Sequence, residues 1–426
     1  MIKIVHRHVV KHLNKNKGLL KHIVVLSSAS VITTIFTVLF KIYMGRKLGP
    51  GLFGELISLV AILFIILTGF SVLHTTLAKF FSHYNSRKQY GKMKYLFNKA
   101  SKFLFFSGMW AFIAILSFSQ FIYRFLKLNS IYPVIIFAFV IWISFLVPLR
   151  VGILRGLQRF FVLGVTDSVE SILRLVLAVV FVSLGLGVNG ALLAIFLGIL
   201  FSVLSVAGSV SFLSKAKEQK IPHIHVYNYA VPVFFSLVSL AVMANIDIVL
   251  VKYFFEPVKA GLYAAASVLA TIPFLASNSF SAVMFSKVSE LHSLKKGTES
   301  SLRHSLGYTF IIAAAVIMLL FLFSNPFIRL IFGEGYSIGY LPGFLGIAFG
   351  ALSLSNVLVT YNLAVGRKRL LFLLPLFMLL EILTITLFHN SMMQIAGGLM
   401  ALLVPLFLIL FLVNRKEIFG RWQRKV

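Results

Sequence analysis

Glu170 and Arg174 stand four residues apart in an apolar run, in the acid-first order that favours an ion pair on one helical face. Asp167 precedes them by one turn. Two readings stay open. The pair is a neutral unit that locks this helix to a neighbour, or Arg174 faces a wet lumen and binds an anionic group while Glu170 orients it. Two further carboxylates interrupt apolar runs. Asp247 lies little more than a turn before Lys252, which predicts a helix-end salt bridge or an ion-coupling site. Glu381 has no basic residue within a turn, so it is matched across helices or serves a coupling proton or sodium ion. Lys41, Arg46, Lys47, His74 and Lys79 form a cationic set at the ends of the first two apolar runs. Arginine forks and lysine point charges both hold phosphate, although lysines near helix ends also snorkel to lipid headgroups. For Lys41 and Lys79 both uses stay open.

The rest of the inventory excludes several chemistries. Only 11 of 426 residues are Asp or Glu, against 40 Lys and Arg, for a formal net charge of +29. There is no cysteine, which removes disulfides, thiolate metal sites and cysteine nucleophiles. His6, His8, His12 and His22, and later His223 and His225, complete no regular ligand pattern, so they read as a basic tail and a polar loop. The remaining acids, Glu55, Glu218, Glu256, Glu290, Glu299, Glu334 and Glu417, are scattered and supply no metal-binding or general-base cluster. No cofactor is implied.

The elements that must position these groups are membrane helices. Hydrophobic residues make up 59% of the chain and the mean hydropathy is +0.98, more apolar surface than a soluble fold can hide. A nucleic-acid binder would not bury its basic residues between apolar segments. Runs of about membrane width fall at 19–41, 52–78, 103–122, 131–149, 161–184, 189–213, 230–252, 261–284, 306–324, 341–364, 370–388 and 393–413. Twelve spans place both termini on one side. Most basic residues fall on that side, among them Arg87, Lys88, Lys92, Lys94, Lys99, Arg150, Arg155, Arg159 and Arg367-Lys368-Arg369, which makes it cytoplasmic. Lys41, Arg46, Lys47, Arg124, Lys127, Lys259 and Arg329 fall on the other side, where every loop is short. The first residues are too polar for a cleaved signal and read as a cytoplasmic segment.

The two halves echo one another. Gly49-Pro50-Gly51-Leu52-Phe53-Gly54 and Glu256-Pro257-Val258-Lys259-Ala260-Gly261 each set a proline four residues before a glycine. Arg155 to Arg159 after the fourth run matches Val365 to Arg369 after the tenth, and Gly187 to Ala191 matches Gln394 to Gly398. Three matches in register predict a duplicated unit with both copies in the same orientation, a pseudo-two-fold axis along the membrane normal and a cavity between lobes. The expected organisation is a cytoplasmic segment 1–18, a six-helix lobe 19–213, a linker 214–229, a second six-helix lobe 230–413 and a cytoplasmic tail 414–426. Pro133, Pro148, Pro232, Pro273, Pro375 and Pro405 fall within or beside spans and permit the bending that alternating access needs. The 44 Phe residues are expected to face lipid, some lining a groove for a lipid tail.

These turns resemble the polysaccharide-transporter branch of the multidrug/oligosaccharidyl-lipid/polysaccharide exporter superfamily. Gly45-Arg46-Lys47-Leu48-Gly49-Pro50 to Gly54 is similar to the family's first-hairpin signature. Asn245-Ile246-Asp247 and Gly261-Leu262-Tyr263-Ala264 resemble its seventh-helix Asp and the opening of its eighth helix. The likeness covers nearly the whole chain, through degenerate, turn-forming motifs. It implies an all-α polytopic fold of about twelve helices in two six-helix lobes, and a flippase without covalent chemistry. Its cargo would be an undecaprenyl-pyrophosphate-linked oligosaccharide, of O-antigen or capsule type, carried from the inner to the outer leaflet of the bacterial plasma membrane. Lipid II flippases of the superfamily usually carry two further helices, whereas this chain ends at Val426 after the twelfth. Drug exporters rely on acids in the first helix, and Ser27 to Phe40 holds none.

Under that reading Arg174, Lys41, Arg46 and Lys79 are the expected pyrophosphate contacts. Glu381, Asp247 and Glu170 are the ion-coupling candidates. Membrane lipids, a polysaccharide polymerase and a chain-length regulator are the expected partners, and nucleic acid is not. The alternatives are a polytopic enzyme of polysaccharide assembly, either polymerase or polyprenyl-dependent glycosyltransferase, and a drug or cation antiporter. The first would want a large external loop or an acidic cluster, and the second an acidic lumen.

Overall fold

The computed structural model describes the backbone of residues 2–221, 227–294, 296–367 and 372–419. It describes the side chains of residues 28–221, 234–292, 294, 296–367 and 372–419. Among these residues every regular element is helical. The amino-terminal histidines and the His223/His225 pair expected to be a tail and a loop lie outside the described side chains, as do Lys368 and Arg369.

The first helix, α1 (Ile2–Gly69), is bent at Gly49, whose φ of 70° and ψ of 171° are non-helical. The following α2 (Ser71–Ser86) continues it. The apolar stretch Ser28–Ser86 counts 59 residues. At about 1.5 Å per residue that is about three bilayer thicknesses, so the chain must turn within it. Gly49 and Pro50 supply the turn: glycine tolerates the left-handed φ, and the proline removes a backbone donor. Next come α3 (Tyr90–Ser117), the short α4 (Ser119–Phe125), α5 (Tyr132–Ser144) and α6 (Val147–Gly156). The break between α5 and α6 falls just before Pro148, which opens α6. Then follow α7 (Phe160–Ser183), α8 (Gly187–Leu204) and α9 (Ala207–Val210).

In the second half α10 (Tyr227–Met243) and α11 (Ile246–Phe254) are successive, and residues 234–243 make 45° with α11. After them come α12 (Pro257–Ala270) and α13 (Ile272–Ser293), broken at Thr271 ahead of Pro273 as span four is broken ahead of Pro148. The series ends with α14 (Glu299–Leu322), α15 (Ser324–Phe332), α16 (Leu341–Ala364), α17 (Leu373–Leu387), α18 (Met392–Val413) and α19 (Arg415–Phe419). Among the described residues, eight helices are long and apolar enough to cross a membrane unaided. The first of these turns at Gly49 and supplies two traverses. The α10–α11 pair is apolar enough to make one further bent span, the 15-residue α17 is a shorter apolar helix, and α7 carries Asp167, Glu170 and Arg174 within its apolar run.

Contacts divide the chain into two compact units. Unit 1 takes Met1–Lys41, Leu73–Ser119 and Tyr132–His225, and unit 2 takes Ile42–Val72, Gln120–Ile131 and Val226–Val426. The units thus follow contact rather than chain halves: 42–72 and 120–131, from the first half, belong with the second. In unit 1, α7 packs on α8, and α5 packs on α3 and α8. In unit 2, α16 is buried along nearly its whole length against α12, α13, α14 and α18. Its Ser353, Ser355, Asn356 and Asn362 are buried as well, and Asn356 donates to Ser277 Oγ at 3.0 Å and Asn278 Oδ1 at 2.9 Å. Phenylalanines such as Phe103, Phe106 and Phe310 are exposed, the arrangement expected of side chains facing lipid.

Candidate functional site

Three clusters of charged side chains sit among the spans. The first, in unit 1, is built where α7 lies against the first segment of α1. Arg174 donates through Nη2 to Thr37 Oγ1 at 2.9 Å, and Nη1 stands 3.4 Å from Glu170 Oε1. The guanidinium carbon lies 5.7 Å from the centre of the Phe40 ring, a cation–π distance. Lys41 follows Phe40, and its charge bears directly on Arg174. Glu170 Oε1 has no hydrogen-bond partner and Arg174 Nε has none either, so this ion pair leaves bonding capacity on both sides. The cluster holds two cations and one carboxylate, a residual positive charge within the membrane span. Glu170 and Arg174 are therefore paired, as one sequence reading expected, yet the pair does not neutralise the site.

The second cluster joins α6 to α7. Arg150 donates to Thr166 Oγ1 at 2.9 Å and to Asp167 Oδ1 at 2.5 Å. Arg155 senses the charges of both Asp167 and Arg150, and His74 on α2 senses Arg155. Arg159 donates to the Ser209 carbonyl at 3.1 Å. Lys79 is exposed on the same helix as His74 and is not drawn into the Arg174 cluster.

The third cluster lies in unit 2. Asp247 is fully buried on α11 and accepts through Oδ2 from Tyr263 Oη at 2.9 Å and Ser267 Oγ at 3.1 Å. Glu381 on α17 is also fully buried, and neither of its oxygens has a hydrogen-bond partner. Its charged neighbour is Asp247. Two buried carboxyl groups on packed helices thus lie close enough to repel one another, each with unused lone pairs. The expected salt bridge between Asp247 and Lys252 does not form. Five residues along an α-helix turn a side chain by about 140° from its starting direction, so Lys252 points away from Asp247. Its opposite charge is Glu55, which lies just past the first-hairpin glycines.

Arg46 takes a structural position. Nε donates to the Ile331 carbonyl at 2.6 Å and Nη2 to the Leu330 carbonyl, so it caps the carboxyl end of α15. Carbonyls at a helix end lack intrahelical donors, and a guanidinium there also meets the negative end of the helix dipole. Sequence reading did not anticipate Thr37, Arg150 or the burial of Glu55 and Lys252. The only local signal was the rarity of acids: Glu55 stands in an apolar run immediately after the turn. Among the described residues no three His, Asp or Glu come together to hold a metal ion.

The sequence profile of the family described as polysaccharide biosynthesis protein matches residues 19–292. No curated protein matches the chain. An inward-facing multidrug resistance MATE family transporter of the MOP superfamily superposes with a TM-score of 0.72 at 14% identity, covering 95% of this chain and 100% of that one. The lipid II flippase MurJ in an inward closed conformation gives a TM-score of 0.67 at 16% identity, covering 91% of this chain and 88% of that one. A MATE structure in a bent conformation gives 0.63 at 16% identity, with 95% and 96% coverage. At these identities the likeness establishes the fold alone, the all-α architecture shared with these transporters.

Proposed function

The chain belongs to the polysaccharide biosynthesis protein family, and from that membership we propose that it moves an undecaprenyl-pyrophosphate-linked oligosaccharide from the inner to the outer leaflet of the plasma membrane. The observation that carries this reading is the Arg174 cluster. Placing charge within a membrane span is costly, so such groups line a wet path or are paired. Here a guanidinium, a second cation at Lys41 and a single loosely held carboxylate remain net positive. Their spare donors suit a diphosphate, whose oxygens accept from arginine forks and lysine alike.

In this mechanism no covalent bond changes. Arg174 and Lys41 replace the water lost by the diphosphate, and Glu170 releases Arg174 to it by keeping only a long contact. Lys79 and Arg46 would meet the headgroup at the two mouths, Lys79 from its exposed place on α2 and Arg46 while still capping α15. Asp247 and Glu381 are the coupling site, where a proton or sodium ion would neutralise the two carboxylates and reset the carrier. Two six-helix lobes, 19–213 and 230–413, would rock against each other with both termini cytoplasmic. A polymerase and a chain-length regulator would take the exported unit onward. O-antigen and capsule repeats both fit this chemistry.

Complementation tests the reading. Deletion should strand lipid-linked repeat units on the cytoplasmic leaflet. Arg174→Ala should abolish rescue, and Arg174→Lys should keep part of it, because the charge survives while the fork is lost. Full complementation by both variants would remove Arg174 from the cargo path.

A further inference from the structure

Glu55 and Lys252 are each 1% exposed, and the proposed transport route uses neither. Glu55 Oε1 accepts from the Asn129 backbone N–H at 2.9 Å. Lys252 Nζ has no hydrogen-bond partner; Glu55 attracts it and Lys127 repels it. Lys127 in turn reaches the Phe254 and Phe255 carbonyls at 3.5 and 3.4 Å, and the Phe125 and Tyr253 rings stack with centroids 4.5 Å apart. One charge cluster therefore gathers the first hairpin, the α4–α5 loop and the end of α11, all inside unit 2. Each of these lies at the end of the bundle that the loop charges mark as outer.

The packing beside it has an unusual form. Gly261 lies against the first-hairpin turn so closely that a Cβ there would stand 1.6 Å from the Pro50 carbonyl oxygen. A Cβ on Gly54 would stand 2.9 Å from Gly261 N. At Gly54, Gly261 and Pro50 backbone meets backbone directly. A permanently closed surface gains nothing from buried, imperfectly paired charges, because apolar side chains of the same size hold as well or better. Charges of this kind suit a surface that must separate, since each regains water when it opens.

We infer that Glu55 and Lys252 form a releasable electrostatic latch, which holds the first hairpin and the α4–α5 loop against the end of α11 and opens once per transport cycle. The inference rests on the transport reading for its purpose. Asn129 orients the Glu55 carboxylate, and Lys127 lowers the cost of release by repelling Lys252 in the closed form.

The chain has no cysteine, so single thiols report without background. Ser58, one helical turn from Glu55, is fully buried. With Ser58→Cys as reporter, Glu55→Gln or Lys252→Met alone should raise labelling by a membrane-impermeant maleimide from outside several-fold. The double variant should restore the low labelling of the parent, because neither member of the pair is left as a lone buried charge. Unchanged labelling in both single variants, or a double variant labelled as strongly as the singles, overturns the latch. Should a neutralised variant fail to fold, cross-linking decides. Joining Phe125→Cys to Tyr253→Cys with a cleavable thiol linker should stop transport, and reductant should restore it. The same linker between Asn325→Cys at the start of α15 and Ile338→Cys in the loop that follows α15 should not. Transport that continues through the first cross-link also overturns the latch. Labelling needs no cargo, so a latch that responds in a protein that moves no lipid-linked sugar would defeat the transport reading alone.

Discussion

Arg150 on α6 holds Asp167 on α7 at 2.5 Å, and the two side chains are 5% and 38% exposed. The unequal burial makes the two ends of the bond unequal in consequence. Asp167→Ala strands a buried guanidinium, whose Nε already lacks a partner. It should cost about 3 kcal/mol, the lower end for breaking a buried pair, because water still reaches one side. Arg150→Ala should cost less, because Asp167 can turn to water. Asp167→Asn should cost least, because its amide oxygen still accepts. Thermal unfolding in detergent measures all three, and the reverse order would show that the pair is not held as described.

Gly261 and Gly397 make an opposed pair of glycines. A methyl at Gly261 would overlap the Pro50 carbonyl, and backbone cannot step aside as a side chain tip can. Gly261→Ala should lose about 3 kcal/mol, the upper end of overpacking costs. A Cβ on Gly397 within α18 meets nothing within 4 Å. Gly397→Ala should therefore gain about 0.5–1 kcal/mol from helix propensity and a less flexible unfolded chain. Equal effects in a melting assay would contradict the packing at the first hairpin.

Asp247 and Glu381 are both buried, with different support. Tyr263→Phe removes one of the two hydroxyls that Asp247 accepts from and should cost about 1–3 kcal/mol. Glu381→Gln replaces a buried carboxyl that has no hydrogen-bond partner with an amide of the same shape, so folding should be kept. If Glu381 couples ions, the variant loses its response to an imposed proton or sodium gradient in proteoliposomes. A wild-type response would place coupling elsewhere.

A pyrophosphate diester carries about two negative charges, and moving each outward across 100 mV is favourable by about 2.3 kcal/mol. Dissipating the potential in vesicles should slow outward flipping even without a pH gradient. Rates indifferent to the potential would mean that cargo charge does not cross the field.

Much of this molecule is legible before folding. Bilayer-length apolar runs, the charge bias of alternate loops and the turn at Gly49-Pro50 are local properties, each set by a short window of residues. The ion pair of Glu170 with Arg174 is local too, since helical spacing alone brings four-apart side chains together. Lys252 shows the limit. Its spacing from Asp247 suggested a partner, but helical rotation turned it toward Glu55, almost two hundred residues away in the chain. Arg46 looked like a free cation until α15 supplied the carbonyls it caps.

The sequence by itself determined that this chain is a series of membrane-length apolar helices, which residues turn it and how few acids it carries inward. Hydropathy and turn chemistry are additive along the chain, so no partner need be known. Only the tertiary structure decided what each charge meets: Arg174 the Thr37 hydroxyl, Arg150 the Asp167 carboxylate, Asp247 the Tyr263 hydroxyl. In a low-dielectric interior, pairing depends on the rotation and register of whole helices, and those are fixed by packing across the fold.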